Sequence, residues 1–124
     1  MIYLDTHVAV WLYAGLVEKF NQPVRELLNA HDLYISPIVA LELQYLFEIE
    51  RLTVEPDSVI MDLAHRIGLA VCEKPFHAVV RMAQTCSWTR DPFDRLLVAN
   101  AGLNDNILIS KDQKILDHYP YAVW

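Results

Sequence analysis

The chain has 124 residues, of which 54% are hydrophobic and 21% charged, and its formal net charge is −6. That length suits one compact domain spanning residues 1–124 and leaves little room for a second. The negative charge disfavours a broad basic surface of the kind that binds nucleic-acid phosphates.

The beginning of the chain does not have the pattern of a secretory signal. Asp5 and His7 interrupt the first apolar residues, no Lys or Arg precedes them, and no apolar run is long enough to span a membrane. We therefore expect a cytoplasmic protein with no membrane association. In that setting Cys72 and Cys86 are expected to be reduced and packed in the core.

Five short apolar runs have the composition of buried strands: residues 2–4, 33–36, 69–72, 107–110 and 122–124. Between them, helical periodicity covers residues 7–14, 23–30, 37–51, 56–67, 75–86, 92–103 and 111–118. Five of these helices have a proline near their first position, where the missing N–H is tolerated. Short strands separated by helices predict an α/β fold, a three-layer α/β/α sandwich with a mainly parallel sheet of about five strands.

Asp5 ends the first predicted strand. In a parallel sheet with helices on both faces, ligands bind beyond the carboxyl ends of the strands, which is where Asp5 is expected to lie. Thr6 follows and could cap a short helix that begins at His7. A turn-forming role for Asp5 therefore remains open beside a metal-binding one.

Glu42 falls in the second turn of the helix that follows Ser36. Its neighbours three and four positions away are all apolar: Ile38, Val39, Tyr45 and Leu46. This spacing places Glu42 in the inward stripe of the helix. Because a lone buried carboxylate is costly unless it is paired or metal-bound, we expect a metal ligand, or otherwise an acid paired with an arginine.

The segment Asp91-Pro92-Phe93-Asp94-Arg95 begins another helix, with Asp91 at the N-cap position. Capping and the helix dipole could account for both acids. Asp94, however, shares its face with apolar residues further along the helix, so we expect it to point inward. The Asp91 carboxylate is expected to cap the helix by accepting a hydrogen bond from a backbone N–H of its first turn.

Ser110-Lys111-Asp112-Gln113 follows the fourth predicted strand and has the pattern of a capping box with Ser110 at the cap. Asp112 could then act only on the helix dipole. It nevertheless becomes the third acid, with Asp5 and Glu42, that is expected to lie near the carboxyl end of a strand. A metal-binding role for Asp112 therefore remains open as well.

Four acids at one edge of a sheet would repel one another and raise one another's pKa unless a cation were present. A set of oxygen ligands suits Mg²⁺ or Mn²⁺, and the five histidines show no spacing typical of zinc ligands. A metal held in this way can lower the pKa of a bound water and neutralise charge on a phosphate. The predicted reaction class is phosphodiester hydrolysis.

Four segments of the chain resemble PIN-domain ribonucleases, specifically the VapC-type toxins of toxin–antitoxin pairs. The segments are IYLDTHV, ISPIVALELQYL, TRDPFDRLLVANA and LISKD. The resemblance covers essentially the whole chain and implies a single PIN domain with Asp5, Glu42, Asp94 and Asp112 as catalytic ligands of Mg²⁺ or Mn²⁺. It further implies RNA cleavage, a homodimer and a cognate antitoxin.

Three further residues match the family pattern around those acids. The resemblance implies that Asp91 supports the metal, and that Thr6 and Ser110 lie close to it without binding it directly.

The negative charge remains an objection to an RNA substrate. The four candidate ligands account for four of the six excess negative charges, which reduces the objection without removing it. Four basic residues could form a local phosphate-binding rim or be ordinary surface residues: Arg90, Arg95, Lys111 and Lys114. The aromatic residues Trp11, Trp88, Trp124, Tyr13 and Tyr45 fit core or interface packing better than base stacking.

Three other functions remain to be compared. A catalytically degenerate PIN scaffold could act as a binding module, which an activity assay would distinguish. A haloacid-dehalogenase-like phosphatase needs a second Asp two residues after the first, where this chain has His7. A receiver-like module needs a phosphoacceptor Asp at the end of a mid-chain strand, whereas Asp32 precedes its strand.

Overall fold

A computed structural model describes all 124 residues. The strands are β1 (Ile2–Leu4), β2 (Leu33–Ile35), β3 (Ala70–Val71), β4 (Ile107–Ile109) and β5 (Ala122–Val123). The helices are α1 (Thr6–Ala14), α2 (Gln22–Ala30), α3 (Pro37–Glu48), α4 (Pro56–Ile67), α5 (Phe76–Ala83), α6 (Pro92–Gly102) and α7 (Gln113–His118). A single 3-10 turn, Val17–Lys19, joins α1 to α2.

The five strands form one sheet in the order β3-β2-β1-β4-β5, and every pairing is parallel. The chain runs outward from central β1 to β2 and β3, then returns to the other side of β1 for β4 and β5. Such a reversal opens a crevice at the carboxyl ends of the two strands where it occurs. Those strands are β1 and β4, whose register pairs Leu4 with Ile109. Asp5 and Ser110 therefore emerge side by side.

Both faces of the sheet are covered. All three residues of β1 are at most 1% exposed, and neighbouring side chains of a strand point to opposite faces. Helices α1, α3 and α4 pack together, as do α5 and α6. The predicted three-layer α/β/α fold is confirmed, with a sheet that is wholly rather than mainly parallel. Cys72 and Cys86 are free and buried, as predicted, and no helix is long and apolar enough to cross a membrane.

The predicted helix limits were wrong at α3 and α5. Helix α3 ends at Glu48 and not at residue 51, because Glu50 adopts a left-handed backbone with φ of 62°. Helix α5 covers Phe76–Ala83 instead of 75–86, and Pro75 lies at its N-cap. Local periodicity does not register these ends, because Ile49 and Cys86 continue the apolar spacing of α3 and α5 beyond their last helical residues.

A buried polar network fixes the two helices that carry Glu42 and Asp94. Asn100 of α6 accepts a hydrogen bond from the Ser36 hydroxyl at 2.8 Å and donates one to the Cys72 sulfur at 3.0 Å. The Tyr3 hydroxyl donates to the same sulfur at 3.0 Å. Because Ser36 is the N-cap of α3, the network sets α3 against α6 and against the central strand. Sequence patterns did not single out Asn100, which lies in an otherwise apolar helix face.

Candidate active site

Asp5 lies at the switch point of the sheet and is held by two hydrogen bonds. Its Oδ1 accepts from the Thr6 backbone N–H at 2.7 Å and its Oδ2 from the Ser110 hydroxyl at 2.6 Å. Asp5 is itself the N-cap of α1, so the prediction that Thr6 caps a helix starting at His7 was wrong. The two hydrogen bonds fix the orientation of the Asp5 carboxylate. The Thr6 hydroxyl does not contribute to the cap, because it contacts Glu42 instead.

The Thr6 hydroxyl donates to Glu42 Oε1 and so joins the end of β1 to helix α3. Glu42 is partly buried, and burial raises the pKa of its carboxyl group. The hydrogen bond from Thr6 opposes that rise, while the charges of Asp5 and Asp91 add to it. The predicted inward stripe was wrong at Tyr45, which is 53% exposed, because the buried row of α3 is formed by residues such as Val39 and Leu43.

Asp94 lies in the first turn of α6, in the middle of the acidic cluster. Burial raises the pKa of its carboxyl group to about 7. The charges of four neighbouring acids contribute next, in the order Asp91, Asp112, Asp5 and Glu42. The fold therefore brings the other four sequence-predicted acids within electrostatic range of Asp94.

Asp91 and Asp112 both cap helices. Asp91 Oδ1 accepts from the Phe93 N–H at 2.9 Å, as expected for the N-cap of α6. Asp112 Oδ1 accepts from the Ile115 N–H at 3.2 Å, which makes Asp112 the N-cap of α7. The prediction that Ser110 caps this helix was wrong. Its buried hydroxyl donates to Asp5 and accepts from the Asp112 N–H instead. Each capping carboxylate retains its second oxygen for another ligand.

His7 also belongs to the site, although the sequence did not predict a role for it there. Its Nε2 accepts the Lys111 backbone N–H at 2.9 Å, and its Nδ1 lies 3.5 Å from Asp5 Oδ2. This pairing assigns the proton to Nδ1. Burial is the main cause that lowers the pKa of His7, which keeps the ring neutral at neutral pH. The ring therefore links Asp5 to the segment that carries Asp112. In the sequence, the position of His7 two residues after the acid that ends β1 was the one feature that could have indicated this role.

The four predicted basic residues differ in what they contact. Arg95 donates to the carbonyl oxygens of Thr89, at 2.8 Å, and Ala83, at 3.4 Å, and Arg90 donates to that of Ser87. These guanidinium groups therefore hold backbone segments instead of pointing into the acidic cluster. Lys111 is exposed beside His7, and Lys114 is exposed on α7.

No lysine or arginine neutralises the acidic cluster. The salt bridges of the chain are His7 with Asp5 and Arg66 with Asp62, so the alternative of an arginine paired with Glu42 was wrong. In this structure no three His, Cys, Asp or Glu side chains converge tightly enough to enclose one ion. Repulsion between carboxylates favours such spreading. A set of oxygen donors with uncompensated charge nevertheless fits a divalent cation of the Mg²⁺ or Mn²⁺ type.

The family follows from the sequence as a whole. Residues 2–120 match the PIN domain family. The chain belongs to the PIN-domain family. This PIN domain is 30% identical to Ribonuclease VapC22 of Mycobacterium tuberculosis over 128 aligned residues, which cover 99% of this chain and 98% of the relative. The resemblance to VapC proteins drawn from the four sequence segments is confirmed.

Solved structures confirm the PIN fold at low sequence identity. One is VapBC2 from Rickettsia felis bound to a promoter DNA fragment, with a TM-score of 0.65 and 19% identity, covering 99% of this chain and 96% of the other. Another is a toxin–antitoxin complex from Klebsiella pneumoniae, with a TM-score of 0.68 and 16% identity, covering 100% and 97%. The likeness extends over the whole PIN domain, including the sheet edge that carries the acids.

Proposed function

We propose that this PIN domain is an endoribonuclease that depends on Mg²⁺ or Mn²⁺, hydrolyses RNA phosphodiester bonds and acts as the toxin of a type II toxin–antitoxin pair. The observation that carries the proposal is a cluster of acids without a basic partner at the switch point of the sheet, where the pKa of Asp94 is raised to about 7. The relative that is named a ribonuclease supports the choice of RNA.

Asp5, Glu42, Asp94 and Asp112 are the residues proposed to hold the cation, and Asp91 adds negative charge beside them. A divalent ion in such a site lowers the pKa of a bound water and neutralises charge on the phosphate. Thr6 and Ser110 fix the carboxylates of Glu42 and Asp5 through their hydroxyl groups. Such supporting hydrogen bonds orient ligands and are worth about 10–100-fold in metal affinity or activity.

The competing functions lack a supporting observation. A phosphatase of the haloacid-dehalogenase type needs a second acid where His7 lies, and that ring is held between Asp5 and the Lys111 backbone. The loss of an acid from the cluster would support a degenerate scaffold, but all four proposed ligands are present, and the other three act electrostatically on Asp94. The nuclease proposal uses every acid of the cluster.

Incubation of the purified protein with a panel of structured and single-stranded RNAs tests the proposal. We expect cleavage in Mg²⁺ or Mn²⁺, none in EDTA, and recovery when excess Mg²⁺ is restored, since the ion supplies the charge that the site lacks. Cleavage at the full rate in EDTA would contradict metal dependence. Absence of cleavage of every RNA under all metal conditions would favour the binding module.

The proposed partners are a cognate antitoxin and a second copy of the chain. Structural relatives described as toxin–antitoxin complexes support the antitoxin. Exposed apolar side chains on α3 and α5, among them Leu41 and Phe76 at 56% and 70% exposure, support a self-interface. Light scattering of the isolated chain should give twice the mass of one copy; the mass of a monomer would contradict the dimer.

A further inference from the structure

The buried polar network that connects the sheet to helices α3 and α6 is formed by Tyr3, Ser36, Cys72, Lys74 and Asn100. All of its members except Lys74 are buried. Every buried side-chain nitrogen and oxygen of the chain has a hydrogen-bond partner, so the network is fully satisfied. None of its members belongs to the acidic cluster, and chemistry at the acids does not by itself account for it.

Asn100 is the centre of this network and contacts three different segments of the chain. Its Oδ1 accepts from the Ser36 hydroxyl at 2.8 Å, and its Nδ2 donates to the Cys72 sulfur at 3.0 Å. Its backbone carbonyl accepts from Lys74 Nζ at 2.6 Å, and the same ammonium donates to Asn106 Oδ1 at 2.9 Å. Because Asn100 lies in the last turn of α6, where carbonyl groups lack helical donors, the ammonium takes the place of a backbone N–H.

Stability alone does not explain an asparagine at this position. Its neighbours on α6, among them Leu97, Val98 and Ala101, are buried and apolar. Replacing two hydrogen-bonded partners by apolar groups of the same shape is often nearly neutral for stability. Hydrophobic contact is non-directional, whereas a hydrogen bond requires a defined distance and angle. The network therefore adds a fixed position of α6 relative to α3.

The two helices joined in this way carry two acids of the cluster. Glu42 lies six residues after Ser36, and Asp94 lies six residues before Asn100. At about 1.5 Å per residue, each acid is about 9 Å along its helix from the Ser36–Asn100 hydrogen bond. A rotation of either helix by about 6° around that bond would move its acid by about 1 Å, a displacement that can cost about 100-fold in rate.

Asp94 depends most on the position of its helix. The carboxylates of Asp5 and Glu42 are oriented by the hydroxyl groups of Ser110 and Thr6. The pKa of Asp94 is raised by burial and by the charges of neighbouring acids, and no hydrogen bond contributes to that shift. The position of the Asp94 carboxylate is therefore set by α6 itself and by the contacts that hold α6.

We propose that Asn100 is a positioning residue: by joining α6 to Ser36 and Cys72, it sets the separation of Asp94 from Glu42 and thereby the affinity of the acidic cluster for its cation. Lys74 assists by holding the end of α6. The inference rests on the proposed metal-dependent function and extends it to a side chain that touches neither the cation nor the RNA.

Mn²⁺ binding to Asn100→Leu, Ser36→Ala and the double variant tests the proposal, with free Mn²⁺ followed by EPR. Leucine is close in size to asparagine but forms no hydrogen bond. We expect Asn100→Leu to bind Mn²⁺ about 10-fold more weakly than wild type, the loss typical of a supporting residue. Ser36→Ala should also weaken binding. Because both changes remove the same bond, the double variant should stay within about 2-fold of Asn100→Leu. Losses that multiply, or unchanged affinity in Asn100→Leu, would overturn the proposal.

Val24→Ala is the control for a general loss of stability. Val24 is buried in α2, which carries none of the acids, so its truncation leaves a cavity away from the network. It should lower the melting temperature while Mn²⁺ affinity stays within about 2-fold. In cleavage assays, Asn100→Leu should need about 10-fold more Mn²⁺ for half its maximal rate, with the KM for RNA within about 2-fold. Equal weakening of Mn²⁺ binding by Val24→Ala would contradict a specific role for Asn100.

Lys74→Met keeps the test decisive if Asn100→Leu fails to fold. The side chain is only partly buried, and methionine retains most of its apolar stem. Removing a positive charge should by itself favour cation binding, so a several-fold loss of Mn²⁺ affinity would report displacement of α6. Lys19→Met removes the same charge from an exposed position and should cause no loss. Affinity in Lys74→Met that equals or exceeds that of Lys19→Met would count against the proposal.

A metal-free measurement separates this inference from the nuclease proposal. The amide ¹H–¹⁵N NMR signals of Glu42 and Asp94 should shift in Asn100→Leu and should not shift in Val24→Ala. If wild type bound no Mn²⁺, the cation site would be rejected, while those shifts would retain Asn100 as the residue that sets the two acids apart. Metal-dependent cleavage and Mn²⁺ binding by Asn100→Leu at wild-type levels would retain the nuclease and reject the positioning role.

Discussion

Asp5→Asn should reduce RNA cleavage by about 10²–10³-fold, the loss typical when one electrostatic contact to the transition state is removed. The substitution removes the charge of the most buried acid in the cluster, at 7% exposure, while an amide can still accept from the Thr6 N–H. The backbone should therefore stay folded. Initial rates at saturating Mg²⁺ measure the effect.

Asp32→Asn is the matched control for this experiment. Asp32 is exposed, its side chain makes no hydrogen bond, and it precedes β2 at the opposite edge of the sheet from the acidic cluster. The Asp32→Asn substitution removes the same charge from the chain as Asp5→Asn and should leave the cleavage rate unchanged within about 2-fold. If Asp5→Asn were as active as Asp32→Asn, the proposed role of Asp5 would be wrong.

Asp94→Asn should make the metal-free protein more stable while it abolishes cleavage. The pKa of Asp94 is raised in the folded chain from its usual 3.8 to about 7, so the folded state disfavours the ionised form. The corresponding stability is fully present below the unfolded pKa and is lost as the pH rises through about 7. An asparagine, which never ionises, avoids that loss.

Thermal denaturation in EDTA measures this effect. Near pH 8 we expect the melting temperature of Asp94→Asn to exceed that of wild type by about 3–6 °C, equivalent to roughly 1 kcal/mol after allowance for solvent screening. Near pH 4 the difference should vanish, and Asp32→Asn should show no such pH dependence. Added Mg²⁺ should stabilise wild type more than Asp94→Asn, because mass action favours the form that binds the ion. Destabilisation by Asp94→Asn near pH 8 would contradict the assigned repulsion.

The sequence was most informative where an acidic residue occupied a position that the helical pattern of apolar residues marks as buried. Glu42 and Asp94 occur at apolar positions of helical patterns, and both prove to be partly buried acids with raised pKa values. Asp5 was recognisable because strand ends in a parallel sheet share an edge. These deductions use only local spacing and one topological rule, which is why they did not require coordinates.

The features that were missed depend on contacts between distant segments. Ser110 and Thr6 look like helix caps in sequence, but their hydroxyl groups donate to acids 105 and 36 residues away. His7 acquires its role only when the Lys111 N–H reaches its ring. Arg95 looked free to bind phosphate, but it donates to backbone carbonyls. Local sequence patterns do not show which of two possible hydrogen-bond partners a side chain contacts in the folded protein.

The fold also explains how a chain with a net charge of −6 could handle RNA. Negative charge is concentrated at the switch point, where a cation would offset it, and the exposed Lys111 lies beside His7 of the same site. Charge on the local surface, and not the net charge, determines where a phosphate approaches. The acidity of the whole chain is therefore compatible with a nucleic-acid substrate.

A Mn²⁺ titration of the metal-free protein, followed through the EPR signal of free Mn²⁺, tests most directly whether the acids form one cation site. We expect saturable binding by wild type and by Asp32→Asn, and an affinity reduced by at least about 10-fold in Asp5→Asn, because metal sites lose that much even when only a supporting residue is changed. No saturable binding by wild type, or equal binding by wild type and Asp5→Asn, would contradict a metal site at Asp5, Glu42, Asp94 and Asp112.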